Sequence, residues 1–281
     1  MSALPDPNEL SVLGLQRMFA GAKSMAIVGS ASSVMTHSNG ELIDSHDIVV
    51  RFNRATTTGV EKHVGSRTDI VVANEANSLK KAPPPSETVD PRCVITYVKT
   101  TALRSQNTHW HKPYFDWVGN TPVLISTGPE ILSCDVPLRQ RGFSMGTYAI
   151  ASLPYWLSIE KLFVTGFTMF GSVSGGAMHY CKPPTRVANT WHDAELERTI
   201  FGRVLSSLPC EVTTTEEVSK MRSDCDDSNL MTSKQVTGFD HPVHRYVSSP
   251  MLYVAERFSK LLLTLGYLIR RCTEKTRLRI S

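Results

Sequence analysis

The chain has 281 residues, 41% hydrophobic and 20% charged, a balance that argues against disorder, a collagen-like repeat or a multi-span membrane protein. Thirty Lys and Arg against 26 Asp and Glu give a net +4, too small an excess to mark a nucleic-acid binder. Six scattered cysteines (Cys93, Cys134, Cys181, Cys210, Cys225 and Cys272) form no CxxC pair and no Cys/His ligand spacing, which argues against zinc and against a disulfide scaffold.

Taken in chain order, Met1–Leu10 carries Asp6 and Glu9 and no apolar core, unlike a signal peptide, so a reducing cytoplasmic location is expected. Asn8–Lys23 reads as a helix with Leu10, Leu13, Leu15, Met18 and Phe19 mostly on one face. Met25–Gly29 is a short apolar run with a glycine stop, the pattern of a buried parallel strand. Further strands are expected at Ile48–Phe52, Asp69–Ala73, Cys93–Val98, Pro122–Ile125 and Lys161–Thr165, with helices at Ser144–Ser158 and Thr190–Leu208. Lys80–Pro91, with its triple proline, reads as a surface loop. Strands alternating with helices predict an α/β domain, a doubly wound sheet with helices on both faces. The domain is bounded at 1–240, with a C-terminal appendage at 241–281.

In such sheets the ligand sits outside the carboxyl ends of the strands, where the strand order reverses. The loop Ser30-Ala-Ser-Ser33 after Gly29 therefore either meets a nucleotide through backbone N–H groups or is a plain small-residue turn. With a single glycine and no acidic residue in the ribose position, it is not a dinucleotide-binding GxGxxG loop. Arg51-Phe52-Asn53 ends a strand with a cation and an amide at its carboxyl edge, and Asn53 both donates and accepts. Read without a ligand, Asp44, Asp47, Arg51 and Arg67 make a structural ion-pair network. Ser144 and Gly146 open a helix, whose free N–H groups favour a phosphate; the plainer reading is an N-cap serine and a close approach at Gly146.

Four segments, in order between Ala26 and Thr68, carry more specific information: Ile27-Val28-Gly29-Ser30, Ile43-Asp44-Ser45-His46-Asp47, Arg51-Phe52-Asn53-Arg54-Ala55 and Val64-Gly65-Ser66-Arg67-Thr68. Together they resemble the large sialyl motif of the eukaryotic-type sialyltransferases, glycosyltransferase family 29. Ser30 stands where the family has a donor-contacting Asn, and Thr56 replaces a Pro. Gly142–Thr147 with Glu160–Phe167 resembles the small motif, Met178-His179-Tyr180 part of the third motif, and His192 with Glu197 the very small motif. Cys181 and Lys182 depart from the third motif. Met25 and Ile159 occupy the positions that a disulfide joins in the family, and packing of the two strands is expected to replace the bridge.

The resemblance implies a Rossmann-like twisted sheet, a variant of the GT-A glycosyltransferase fold. It also implies an inverting transfer of a 2-keto acid sugar from a CMP donor, sialic acid first and Kdo second, to a hydroxyl of a glycan or glycolipid. His192 would be the base and His179 would bond the departing phosphate. Gly29, Ser30, Asn53, Ser144, Met145 and Gly146 would hold CMP, with Tyr180 flanking the phosphate. No metal is implied, because CMP leaves with a single phosphate, so Asp224-Cys225-Asp226 reads as a solvated loop. A bacterial-type enzyme of lipopolysaccharide or capsule synthesis at the inner membrane is the first expectation. A catalytically silent nucleotide-binding or membrane-interaction protein is the other.

In the tail, Ser248-Ser249-Pro250 marks a helix start, followed by Met251, Val254, Phe258, Leu261, Leu265, Leu268 and Ile269 at helical spacing. Residues 241–281 hold eight Lys and Arg against two acids, a charge of +6 that leaves −2 on the rest. Such a helix either lies on an anionic membrane surface or packs on the core or on a second copy.

Overall fold

The computed structural model describes residues 9–53, 56–74, 89–97, 111–126, 143–169, 180 and 194–223. The Asp224-Cys225-Asp226 stretch, the tail at 241–281 and most of Lys80–Pro91 lie outside the described residues. The strands are β1 (Glu9–Leu10), β2 (Ser24–Val28), β3 (Ile48–Phe52), β4 (Ile70–Val72), β5 (Cys93–Tyr97), β6 (Val123–Ser126), β7 (Lys161–Thr165) and β8 (Glu211–Thr214). They form one sheet in the order β1-β6-β5-β4-β3-β2-β7-β8, every pairing parallel. The helices are α1 (Val12–Met18), α2 (Gly40–Asp44), α3 (Glu61–Val64), α4 (His111–Val118), α5 (Met145–Trp156), α6 (Ala194–Ser207) and α7 (Glu216–Ser223), with a 3-10 turn at Ser32–Thr36.

Parallel strands buried on both faces need apolar residues at consecutive positions, and β2, β3, β4 and β5 supply them. Side chains then alternate between layers. Met25, Ile27, Ile48, Val50, Ile70, Ile95 and Tyr97 pack with Leu15 of α1, Ile150 of α5, Phe201 of α6 and Val218 of α7. On the other face, Ala26, Val28 and Val49 meet Val34, Ile43 of α2 and Val64 of α3, while Val71 and Val94 meet Tyr114 and Val118 of α4. Helices cover both faces, as expected. Met25 and Ile159 are both buried in the same apolar cluster, so ordinary packing occupies the place of a bridge.

The N-terminal helix differs from its expected span. Glu9–Leu10 pairs with β6, and the helix starts only after Ser11, whose side chain accepts the Gly14 N–H at 3.1 Å. Leu13, assigned to the apolar face, is 55% exposed, whereas Leu15 and Phe19 are buried. A two-residue edge strand is too short to show alternation, so the helical pattern was read through it.

Candidate functional site

The strand order reverses at β2, which has β3 on one side and β7 on the other. At its carboxyl end the two loops are sewn together: Gly29 N–H donates to Thr165 O at 2.8 Å, and Ala31 N–H to Gly166 O at 2.9 Å. A Cβ on Gly29 would collide with the Gly166 carbonyl, and Gly166 itself sits at φ +74. Gly29 is thus required for close approach of two backbones. Ser30 follows it, half-buried, and its carbonyl accepts the Tyr180 N–H at 3.1 Å. The Tyr180 hydroxyl donates to Thr56 O at 3.0 Å, which ties this tyrosine to the end of the β3 loop.

Asn53 stands one residue beyond β3 with φ +53, a left-handed conformation that asparagine tolerates better than most residues. Its N–H donates to Val72 O at 2.9 Å, and its Oδ1 accepts the Asn74 N–H at 3.3 Å. Asn74, two residues beyond β4, was missed by sequence reasoning; the available signal was a second asparagine ending the neighbouring strand. Its Oδ1 is buried, with no hydrogen-bond partner among the described residues.

Arg51 is not presented at the strand edge. It is fully buried, with Nε donating to Arg67 O at 3.1 Å and Thr68 Oγ1 at 2.9 Å, and Nη2 to Val64 O at 2.6 Å and Arg67 O at 2.8 Å. Burial lowers the guanidinium from its usual pKa, opposed by the fields of Tyr180 and Asp44. The surrounding network is also built on backbone more than on ion pairs. Asp44 accepts the Ser66 and Arg67 N–H groups, and Arg67 donates to the carbonyls of Asp44, His46 and Asp47 and to the Asp69 carboxylate.

Across the seam, Ser144 caps α5, its hydroxyl accepting the Thr147 N–H at 3.3 Å. Glu197 of α6, 2% exposed, completes the cap: it accepts from Ser144 N–H at 2.6 Å, Ser144 Oγ at 3.2 Å and Thr147 Oγ1 at 2.7 Å. A carboxylate at the positive end of a helix is favoured by the helix dipole. Glu197, read from sequence only as the end of a His-x4-Glu pattern, therefore holds the first turn that carries Met145 and Gly146. Met145 is half-buried against the core.

Phe167 joins the two sides. A Cβ on Gly146 would lie 2.6 Å from its ring and one on Gly29 3.0 Å from it. The same ring stands edge-on to Phe52 at 5.5 Å and packs on Phe201 at 5.1 Å. The glycine of the first strand turn and that of the α5 turn thus share one aromatic neighbour at the carboxyl edge of the sheet. His179 and His192 lie outside the described residues. Among the described residues no group of three or more His, Cys, Asp and Glu side chains could hold a metal, and no helix is long and apolar enough to cross a membrane.

Residues 3–110 match the family described as glycosyltransferase family 29 (sialyltransferase), so the resemblance of the first motif stands. The human β-galactoside α-2,6-sialyltransferase 2 is 52% identical over 54 residues, which are 19% of this chain and 10% of that protein. The chicken protein of the same name is 39% identical over 95 residues, 33% of this chain and 17% of the relative. The Arabidopsis thaliana β-1,6-galactosyltransferase GALT29A is 45% identical over 51 residues, 18% of this chain and 13% of that protein. The matched segments thus span well under two thirds of these relatives. A solved mammalian sialyltransferase aligns over 74% of both chains with a TM-score of 0.46 and 21% identity.

Proposed function

We propose that this chain is an inverting, metal-independent glycosyltransferase that moves sialic acid from CMP-sialic acid to a hydroxyl of a galactose-terminated glycan. The observation that carries the reading is the convergence at the strand reversal. Gly29 and Gly146 pack on one Phe167 ring, with Asn53 and Asn74 hydrogen-bonded to each other at the adjacent strand ends. Backbone N–H groups of the Ser30 loop and of the α5 turn would bind the phosphate and the base of CMP. The amides of Asn53 and Asn74 would meet the ribose hydroxyls. Sialic acid is put before Kdo because the similar proteins quoted above include sialyltransferases. The galactose acceptor follows from the same names.

In this reading the glycosidic bond to the CMP phosphate breaks as the acceptor oxygen attacks the anomeric carbon from the opposite face. His192 takes the acceptor proton, and His179 donates a hydrogen bond to the phosphate oxygen as its charge grows. Tyr180, bonded to Ser30 O and Thr56 O, fixes the chain next to His179 in sequence. A general base contributes about 100- to 10,000-fold. His192→Ala is therefore expected to lose transfer by that factor while binding CMP as before, measured as CMP release from CMP-N-acetylneuraminate with a β-galactoside acceptor and by calorimetry with CMP. Normal turnover in His192→Ala, or turnover abolished by a chelator, would overturn the reading.

A further inference from the structure

Glu217, in the first turn of α7, has no part in the site just described, yet four groups converge on its carboxylate. Oε1 accepts from Thr215 Oγ1 at 2.7 Å, from Ser33 Oγ at 3.3 Å and, at a long 3.4 Å, from Gly166 N–H. Oε2 lies 3.0 Å from His37 Nε2. The side chain is only 17% exposed, so these contacts are poorly screened. Ser33 lies in the 3-10 turn that continues the Ser30 loop, His37 caps the end of that turn, and Gly166 is half of the glycine seam. His37 is held from its other side as well, its carbonyl 2.6 Å from His63 Nδ1. A single acid from the segment after the last strand thus ties the loop beyond β2 to the turn beyond β7.

We propose that Glu217 is a positioning residue for the nucleotide loop, acting through Ser33, His37 and Gly166 to hold the Ser30 backbone where the donor phosphate binds. The proposal rests on the donor reading above. Loss of the clamp loosens the free loop, so donor binding must pay for its ordering, while the reacting groups stay unchanged.

The test uses the full chain, CMP as calorimetric probe and CMP-N-acetylneuraminate as donor. Glu217→Gln is expected to weaken CMP about tenfold and to raise the donor KM by a similar factor, with kcat within about twofold. His37→Gln shows the same split to a smaller degree, and the double substitution is no worse than Glu217→Gln, because both cut one clamp. Glu216→Gln removes an exposed pair with Lys220 at 2.8 Å while leaving the hydrogen bonds of Glu217 to Ser33, Gly166 and His37 in place, and it leaves CMP binding unchanged. Unchanged CMP affinity in Glu217→Gln, a fall in kcat at constant KM, or additive effects of the two substitutions overturns the proposal. Should Glu217→Gln fail to fold, Ser33→Ala and His37→Gln cut the clamp from the loop side, and unchanged CMP affinity in both overturns it equally. Failure of the unsubstituted chain to bind CMP overturns the donor reading itself, and this proposal with it.

Discussion

The two sides of the strand reversal are held by different means. On the β2–β4 side, polar side chains grip the backbone: Arg51 holds the carbonyls of Val64 and Arg67, Asp44 the N–H groups of Ser66 and Arg67, and Arg67 three further carbonyls. On the α5–β7–α6 side, the Phe167 and Phe201 rings and one buried carboxylate do the same work. Most of the charged residues in the first motif are therefore scaffold, which leaves the uncharged residues at the strand ends as the proposed donor contacts. The second side places its acid at the first turn of α5, which carries Met145 and Gly146, so there scaffold and proposed site are coupled.

The largest expected effect comes from breaking the first side at its centre. Arg51→Ala removes four hydrogen bonds and leaves a cavity in a fully buried position. A loss of about 4 kcal/mol in urea unfolding is expected, because buried carbonyls are left without donors. Arg51→Lys keeps the charge but cannot reproduce the fork, and should recover less than half of the loss. A cost below about 1 kcal/mol would mean that the first side is not held in this way.

Glu197→Ala tests the other side and should cost about 3 kcal/mol, since Ser144 N–H and two hydroxyls lose a charged acceptor at a 2% exposed position. Here the two sides part company. Glu197→Ala should also weaken CMP, by loosening the α5 turn, whereas the milder Arg51→Lys should bind CMP normally once folded. Equal effects on CMP affinity would erase the distinction. Glu197→Gln, which keeps one acceptor oxygen, should fall between Glu197→Ala and the parent chain.

Much of this architecture was legible in the residues. Ile48–Phe52 and Lys161–Thr165 form strands over their expected spans, because apolar runs bounded by turn residues leave little freedom. Ser144 caps its helix as expected, since the capping preference is local. What escaped was long-range. Nothing near Glu197 or Glu217 in sequence announces their partners, which lie 50 to 53 residues away for Glu197 and up to 184 away for Glu217. Arg51 was read as a presented cation because its place near the strand end says nothing of which face it points to. Val49 on the same strand face packs with Ile43 and Val64, and that layer closes over Arg51. Asn74 escaped because its pairing with Asn53 depends on the β3–β4 register.

The smallest expected effect tests the first side alone, by pH. Burial pushes the Asp44 carboxyl up, but hydrogen bonds from Ser66 and Arg67 outweigh it and hold the pKa below the ordinary 3.8. Asp47 is lowered as well, chiefly by the N–H groups of Lys23 and Ser24. A carboxyl with a depressed folded-state pKa stabilises fully above its unfolded value, and the stabilisation is lost as pH falls through the folded value. The contribution of Asp44 should therefore be constant from about pH 7 down to about pH 5 and shrink below 3.8. Asp44→Asn should be less stable than the parent at neutral pH and approach it in acid, in urea unfolding followed across pH. A gap between the two that stays constant into acid would show that the hydrogen bonds of Asp44 do not depend on its charge.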